Sequence, residues 1–195
     1  AAQPDGVHAR SRVVRHKSFA WADDGFRSPP LAGAVLYELH VGTFSAAGTF
    51  DGAIEHLDHV RALGVSHVEL MPVAAFDGAR GWGYDGVAPF APHAPYGGPD
   101  GLKRFVDACH ARGLGVILDV VYNHLGPIGN VLHEFAEDYF TDEYKTDWGK
   151  PLNFDQPNCE GARTFFISNA RYWIEEFHFD GLRVDATQNI YDFDD

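Results

Sequence analysis

The chain has 195 residues, of which 45% are hydrophobic and 14% aromatic, enough for a globular domain with a sizeable core. A formal net charge of −13 without any basic run argues against nucleic acid or an anionic membrane surface as a partner. No apolar run approaches the ~20 residues of a membrane span, and no secretory signal pattern opens the chain. The two cysteines, Cys109 and Cys159, offer neither a disulfide framework nor a metal-ligand spacing, so we expect a cytoplasmic protein.

The first 34 residues lack hydrophobic periodicity. They end near Ser28-Pro29-Pro30, a stiff and extended connector. We therefore predict that residues 1–34 are a linker or the tail of a preceding domain, and that residues 35–195 form the folded region.

A regular alternation of strands and helices begins at residue 35. Apolar runs predict strands, and apolar stripes at helical spacing predict helices. The predicted strands cover residues 35–41, 65–71, 116–121 and 181–186, and the predicted helices cover residues 50–63, 101–112 and 161–177. The order β-α-β-α-β-α-β predicts a parallel sheet with right-handed crossovers.

Two long segments interrupt this alternation. Residues 72–99 are rich in glycine and proline and follow the second strand, whereas residues 125–159 are rich in aromatic and acidic residues and follow the third. Loops of this length are usually functional, and both follow the carboxyl ends of strands, where α/β proteins build their sites. We predict that residues 125–159 form a lid-like insertion.

The fourth strand brings Arg183 and Asp185 to one face of the sheet, because residues two apart on a strand share a face. A guanidinium beside the carboxylate stabilises the charged form of the acid. An ionised and oriented carboxylate is the nucleophile that a covalent glycosidase needs. Taken alone, the pair is equally consistent with a structural salt bridge.

Two more groups of polar residues fall at predicted strand ends. Asp119, Asn123 and His124 lie at and after the third strand, and Trp82 and Tyr84 lie in the first long loop. Singly, they fit a buried structural acid, a loop histidine and packing aromatics. Together with Arg183 and Asp185 they suit a sugar, because hydroxyls need charged hydrogen-bond partners and the ring stacks on an aromatic face.

Motifs of other enzyme classes are missing from the sequence. There is no Gly-x-Gly-x-x-Gly after a strand, no P-loop, no His-Glu-x-x-His and no Gly-x-Ser-x-Gly. The patterns of dinucleotide, nucleotide, zinc and serine-hydrolase chemistry are therefore unsupported, and we expect neither a cofactor nor a metal.

Residues 119–124 and 181–186 resemble the first and second signature segments of the alpha-amylase family of glycoside hydrolases. The resemblance covers residues 31–195. It implies an α/β fold, the (β/α)8 or TIM barrel with an insertion after the third strand. This chain would then hold roughly the first four strands and three helices, with residues 125–159 as the insertion.

The resemblance also implies roles for individual residues. Asp185 would be the nucleophile that forms the covalent glycosyl-enzyme, and Arg183 would hold it ionised and aimed. Asp119 would belong to the same hydrogen-bonded cluster, His124 would donate to a hydroxyl of the reacting sugar, and Tyr84 would stack on that sugar.

Three further positions follow from the same resemblance. Asn123 would be mainly structural, and Gln188 and Asn189 would contact the leaving-group side of the substrate. The pair Gln188-Asn189 departs from the lysine-histidine of many amylases, which weighs against endo-hydrolysis of starch. No calcium cage is implied.

Four segments, residues 37–44, 82–87, 96–103 and 122–127, suggest a substrate. They are most similar to enzymes of the family that release trehalose from a maltooligosaccharide carrying a trehalose end. The expected partner is therefore a maltooligosaccharide-type substrate, and the alternative is branching or debranching of glycogen.

A retaining mechanism also requires a second carboxylic acid about 5–5.5 Å from the nucleophile. In the family this is a glutamate on the fifth strand, beyond the four strands predicted here. We therefore expect the chain to be an interior piece of a larger enzyme, with the remainder of the barrel as its missing partner and no hydrolysis by the isolated chain. A different possibility is a carbohydrate-binding piece without catalysis.

Overall fold

A computed structural model describes residues 2–192 of the chain. Its main sheet contains four strands in the order β1-β2-β5-β6, all of them parallel, and a separate pair, β3 and β4, is antiparallel. The strands are β1 (Leu36–Leu39), β2 (His67–Leu70), β3 (Ala74–Ala75), β4 (Ala88–Pro92), β5 (Gly115–Val120) and β6 (Gly181–Val184). The predicted parallel sheet is confirmed.

Six α-helices accompany the strands in the described residues. They are α1 (Val41–Phe44), α2 (Phe50–Ile54), α3 (Leu57–Ala62), α4 (Gly98–His110), α5 (Leu132–Phe135) and α6 (Glu160–Phe177). The long helices α4 and α6 occupy the crossovers before β5 and β6. All six residues of β5 are buried, as expected for a parallel strand covered on both faces.

The single helix predicted over residues 50–63 is wrong, because the structure divides it into α2 and α3. The side chain of Thr49 caps α2 by accepting a hydrogen bond from the Gly52 N–H. At the break, the N–H of His56 donates to the carbonyl of Ala53, a bond across three residues instead of four. This local tightening ends the first helix without altering the spacing of the apolar stripe, so periodicity alone does not reveal it.

The boundaries of other elements also differ from the predicted ones. Helix α4 begins at Gly98, three residues before the predicted start, because Gly97 adopts a left-handed φ of 117° and Pro99 suits a first helical turn. Strand β1 ends at Leu39, because helix α1 begins directly after His40, whose carbonyl accepts the N–H groups of Thr43 and Phe44.

Neither long segment is a plain loop. Residues 72–99 contain the β3–β4 pair and a 3₁₀ turn at Ala94–Tyr96. Residues 125–159 contain α5, a 3₁₀ turn at Glu137–Tyr139 and a β-bridge between Phe140 and Leu152. The N–H of Leu152 donates to the carbonyl of Asn123, which ties the insertion to the end of β5. Its proposed action as a lid remains a prediction.

The N-terminal residues lie against the sheet and its helices. The ring of His16 makes edge contacts with Tyr172 and Phe177 of α6. The carbonyl of His16 accepts a hydrogen bond from the buried ammonium of Lys103. Whether residues 1–34 also serve as the tail of another domain remains a prediction. In the part of the chain that the structure describes, no helix has the length and apolar character to span a membrane.

One buried amide joins three parts of the fold. The Oδ1 atom of Asn169, on α6, accepts hydrogen bonds from the Tyr122 hydroxyl at 2.7 Å and the Trp173 indole at 3.0 Å. The Nδ2 atom of Asn169 donates to the carbonyl of Pro89 at 2.9 Å, which fastens β4 to the helix. Because these groups are shielded from water, each would be costly to leave unpaired.

We predict that Asn169→Leu lowers the free energy of unfolding by about 3–5 kcal/mol, because it leaves three buried polar groups without a partner. Tyr122→Phe removes one donor and should cost about 1 kcal/mol. Urea denaturation followed by circular dichroism measures both. Equal losses in the two variants would contradict a shared dependence on Asn169.

Candidate active site

The site is built on the carboxyl ends of β5 and β6. The register of these parallel strands places Asp119 directly beside Arg183. The Nη1 atom of Arg183 lies 3.0 and 2.9 Å from the two carboxylate oxygens of Asp119 and 2.5 Å from Oδ1 of Asp185. The expected contact between Arg183 and Asp185 is confirmed, and Arg183 bridges two acids on neighbouring strands.

The Asp119 side chain is fully buried and surrounded by donors. Tyr84, from the first long loop, donates its hydroxyl to Oδ2 of Asp119 at 2.8 Å. Burial raises the pKa of Asp119, while the hydrogen bonds from Arg183 and Tyr84 oppose that rise. Since both oxygens accept hydrogen bonds from these donors, the geometry is that of a carboxylate.

Burial and hydrogen bonds within the cluster also shift the pKa values of Arg183 and Tyr84. Burial would lower the pKa of Arg183, but hydrogen bonds to Asp185 and Asp119 outweigh it and raise that pKa. Burial and the hydrogen bond to Asp119 raise the pKa of the Tyr84 phenol, which therefore keeps its proton as a donor. The site consequently pairs one fixed cation with two carboxylates.

Asp185 is held from a second side by Asn123. The Nδ2 atom of Asn123, a fully buried residue, donates to the backbone carbonyl of Asp185 at 2.9 Å and lies 3.4 Å from its Oδ2. The N–H of Asp185 donates to the carbonyl of Val120, which prolongs the pairing of β5 and β6. The next residue, Ala186, has φ 42°, a left-handed conformation that is strained for a residue with a Cβ.

His124 adjoins the same amide. Its Nδ1 atom forms a very short contact with Oδ1 of Asn123. Because Nδ2 of Asn123 must face the carbonyl of Asp185, Oδ1 is the acceptor and Nδ1 of His124 carries the proton. Burial lowers the pKa of His124, although the Tyr84 backbone and the carboxylates of Asp185 and Asp85 oppose it, so the ring is neutral near pH 7. In this neutral ring Nε2 is an acceptor, so the predicted donation to a sugar hydroxyl would require the doubly protonated ring, and it remains a prediction.

Two glycines let the loops meet closely enough to bring Tyr84 and His124 together. At Gly83, which has φ 98°, a Cβ would lie 2.2 Å from the carbonyl oxygen of Pro72. At Gly126, a Cβ would lie 2.1 Å from the carbonyl oxygen of Asp85. No other residue fits either contact, because real Cβ atoms do not approach backbone so closely.

The insertion contributes Trp148, a residue that the sequence reasoning missed. Its ring stacks on His124 with centroids 5.8 Å apart and is 49% exposed. Trp148 also lines an open cavity of about 780 Å³ within the insertion. Leu125, Phe140 and Lys150 are among the other residues that line this cavity. A tryptophan within an acidic insertion is the only signal for it in the sequence.

Gln188 and Asn189 lie in a 3₁₀ turn, Thr187–Asn189, directly after Ala186. Gln188 is exposed, and the Asn189 amide donates to the Tyr191 hydroxyl at 3.3 Å. Within residues 2–192, neither side chain has a hydrogen bond to the Arg183 cluster. Their contact with the leaving group therefore remains a prediction.

One group of acids lies on the sheet beneath the site. Glu38, Glu69 and Asp119 each offer a carboxylate oxygen, and these oxygens lie within 4.8 Å of one another. Burial, together with the charges of Glu38 and Asp119, raises the pKa of Glu69. The oxygens of Asp119 already accept hydrogen bonds from Arg183 and Tyr84.

Curated proteins resemble the chain over nearly its whole length. Malto-oligosyltrehalose trehalohydrolase of Arthrobacter ramosus is 54% identical over 190 residues, which are 97% of this chain and 33% of that protein. The 1,4-alpha-glucan branching enzyme GlgB of Burkholderia thailandensis is 37% identical over 206 residues, 95% of this chain and 25% of that protein. This chain therefore spans a quarter to a third of the length of these curated relatives.

A solved structure shows the same architecture. The crystal structure of a Salmonella typhimurium protein named as a candidate alpha-amylase superposes with a TM-score of 0.95 and 44% identity, covering 99% of this chain and 32% of that one. The family model "Alpha amylase, catalytic domain" matches residues 16–151, well over half of the chain. The chain belongs to the alpha-amylase family and holds part of its TIM-barrel catalytic domain.

Proposed function

We propose that the whole protein is a retaining glycosidase that cleaves the α-1,4 bond next to the trehalose end of maltooligosyltrehalose and releases trehalose. The observation that carries the proposal is the Arg183–Asp185 contact of 2.5 Å at the carboxyl end of β6, in a chain of the alpha-amylase family. The 54% identity to a malto-oligosyltrehalose trehalohydrolase supports the choice of bond.

In this mechanism the Asp185 carboxylate attacks the anomeric carbon of the maltooligosyl unit. The C1–O bond to trehalose breaks as a carboxylic acid protonates the departing oxygen, which leaves a covalent glycosyl-enzyme. Water, deprotonated by the same group, then attacks that carbon and frees Asp185. Asp119 is unsuited to be the acid, because its oxygens accept hydrogen bonds from Arg183 and Tyr84.

The other residues prepare the nucleophile and the sugar. Arg183 keeps Asp185 charged and directs it, and Asp119 fixes Arg183 from the neighbouring strand. Tyr84 and His124 would bind the reacting sugar, with the Tyr84 ring orientation set by its hydrogen bond to Asp119. The tyrosine is half-buried, which leaves part of its ring available for stacking.

A second candidate function is the transfer of a glucan chain to form or remodel α-1,6 branches. It is favoured by the 37% identity to a glucan branching enzyme over 95% of the chain. Both reactions would use the same Asp185 nucleophile, so the site geometry is common to them. Product analysis of the whole protein separates them: free trehalose from maltooligosyltrehalose supports hydrolysis, whereas new α-1,6 branches in a linear glucan support transfer.

We predict that Asp185→Asn lowers trehalose release by the whole protein on the order of 10⁴-fold, because an amide cannot form the glycosyl ester. Asp58→Asn is the matched control, since Asp58 is a highly exposed acid paired with Arg112. Chromatographic assay of trehalose measures both variants. An Asp185→Asn enzyme that retains a tenth of the activity would refute Asp185 as nucleophile.

A second prediction concerns pH. Burial raises the pKa of Asp119 and Arg183 opposes that rise, so Arg183→Gln should raise it further and leave two neighbouring carboxylates without their shared cation. The acid limb of the profile of kcat/KM against pH should then move to higher pH by about 1 pH unit or more. Arg183→Lys, which keeps the charge, should move the limb less. An unmoved limb in Arg183→Gln would exclude this coupling.

We also predict that the 195-residue polypeptide, assayed alone, hydrolyses no maltooligosyltrehalose above background, because Asp119 cannot supply the acid. The measurement is trehalose release over a long incubation at high protein concentration. Turnover that Asp185→Asn abolishes would contradict this prediction without weakening the role of Asp185.

A further inference from the structure

A cluster of imidazoles and carboxylates, with the buried His110 at its centre, lies at the opposite end of the sheet from Asp185. Asp23 belongs to the N-terminal segment, His110 ends α4, and Asp180 directly precedes β6. His110 Nδ1 lies 2.9 Å from Oδ2 of Asp23, and His110 Nε2 lies 3.0 Å from Oδ2 of Asp180. The proposed function uses none of these residues.

The geometry defines the charge of His110. A carboxylate only accepts hydrogen bonds, and both ring nitrogens of His110 face carboxylate oxygens. Both nitrogens must therefore carry protons, which makes the ring an imidazolium between two anions. Its side chain is only 3% exposed, so water screens these interactions little.

Each carboxylate is attached to a different part of the fold. Oδ2 of Asp180 also accepts the N–H of Val116 at 2.7 Å, and the N–H of Asp180 donates to the Val116 carbonyl at 2.8 Å. Asp180 thus aligns the start of β6, the strand that carries Arg183, with β5. His110 contacts both Asp180 and Asp23, and so connects the N-terminal segment to this pair of strands.

Residues 19–28, here called the strap, make further contacts around Asp23. The ring of Trp21 stacks on His178 at 3.8 Å, and the ring of Phe26 stacks on His110 at 4.0 Å. The N–H of Ala22 donates to Oδ1 of Asp107 on α4 at 2.9 Å. The strap is therefore held by two ring stacks and by hydrogen bonds to the carboxylates of Asp23 and Asp107.

The charged groups around His110 come from three elements. Asp23 faces it from the strap and Asp180 from the start of β6, while Asp107, on its own helix, faces the strap backbone. His178, at the end of α6, donates from Nδ1 to the same Oδ2 of Asp23 at 2.7 Å. His178 makes this bond through one nitrogen and can do so as a neutral ring, whereas His110 needs both protons.

We propose that His110 makes the attachment of the strap depend on pH. In its doubly protonated form His110 clamps Asp23 of the strap to Asp180 at the start of β6. When His110 loses a proton, one of its nitrogens faces a carboxylate without a hydrogen to share. The strap then opens from the end of the sheet while the sheet itself stays folded, since β5 remains paired with β2 and β6 through its own backbone hydrogen bonds.

The direction of the pH dependence follows from the neighbours of His110. Burial would lower its pKa, but hydrogen bonds to Asp180 and Asp23 outweigh burial and raise the pKa above the ordinary 6.5. The clamp is therefore complete below pH 6.5 and is lost as the pH rises through the raised pKa. Between those values one proton is linked to opening, so the opening equilibrium constant should rise about tenfold per pH unit.

The test uses NMR on the whole protein with isotope-labelled histidine between pH 5.5 and 9, and hydrogen exchange of the same protein. The ring nitrogens of His110 should titrate above 6.5. The amides of Ala22 and Phe26 should lose protection against hydrogen exchange over the same range, after correction for intrinsic exchange rates, while amides of β5 keep theirs. A His110 that titrates at or below 6.5, or strap protection that does not change with pH, would overturn the proposal.

Variants separate His110 from other histidines. His110→Gln should lower protection of Ala22 and Phe26 at pH 6 at least tenfold and make it independent of pH. His178→Gln should keep the pH dependence, and His8→Gln, which removes an exposed histidine beside Asp77, should change nothing. If His110→Gln fails to fold, Asp23→Asn should move the titration of His110 to lower pH. An unmoved titration in Asp23→Asn, or persistent pH dependence in a folded His110→Gln, would refute the clamp.

Discussion

The guanidinium of Arg183 lies between two carboxylates on adjacent strands, and the rest of the site is arranged around this contact. Asp119 is fully buried, so its charge is tolerated only because Arg183 and Tyr84 supply hydrogen bonds to both of its oxygens. Arg183 is thereby fixed from one side and presents the same Nη1 atom to Asp185 on the other. Arg183 is thus one cation shared by two acids, and it stabilises the charged form of both.

This arrangement needs four separate pieces of chain in contact. Strands β5 and β6 supply Asp119 and Arg183, and the loop after β2 supplies Tyr84 through the close approach that Gly83 permits. The segment after β5 supplies Asn123, whose amide holds Asp185 and orients His124 at the same time. Strain at Ala186 is consistent with a turn that the surrounding contacts impose on the chain beside a reacting group.

The two ends of the sheet have different chemistry. At the carboxyl ends, polar groups are left partly accessible and face the space where a sugar would bind, as is usual for this barrel architecture. At the amino ends, the polar groups bind one another around the buried His110, and they join the strap to the start of the strand that carries Arg183. The strand β6 therefore has ionic contacts at both ends, those of Arg183 with Asp119 and Asp185 and that of Asp180 with His110.

The sequence by itself determined the parallel order of the strands and the pairing of Arg183 with Asp185. Both depend on local spacing: apolar runs mark strands, and residues two apart share a face. The tertiary structure alone decided the register that sets Asp119 beside Arg183, the stacking of Trp148 on His124, and the break between α2 and α3. It also decided the charge of His110, whose partners Asp23 and Asp180 are 87 and 70 residues away along the chain. Such features arise from contacts between distant segments, and no periodicity within a window of sequence records them.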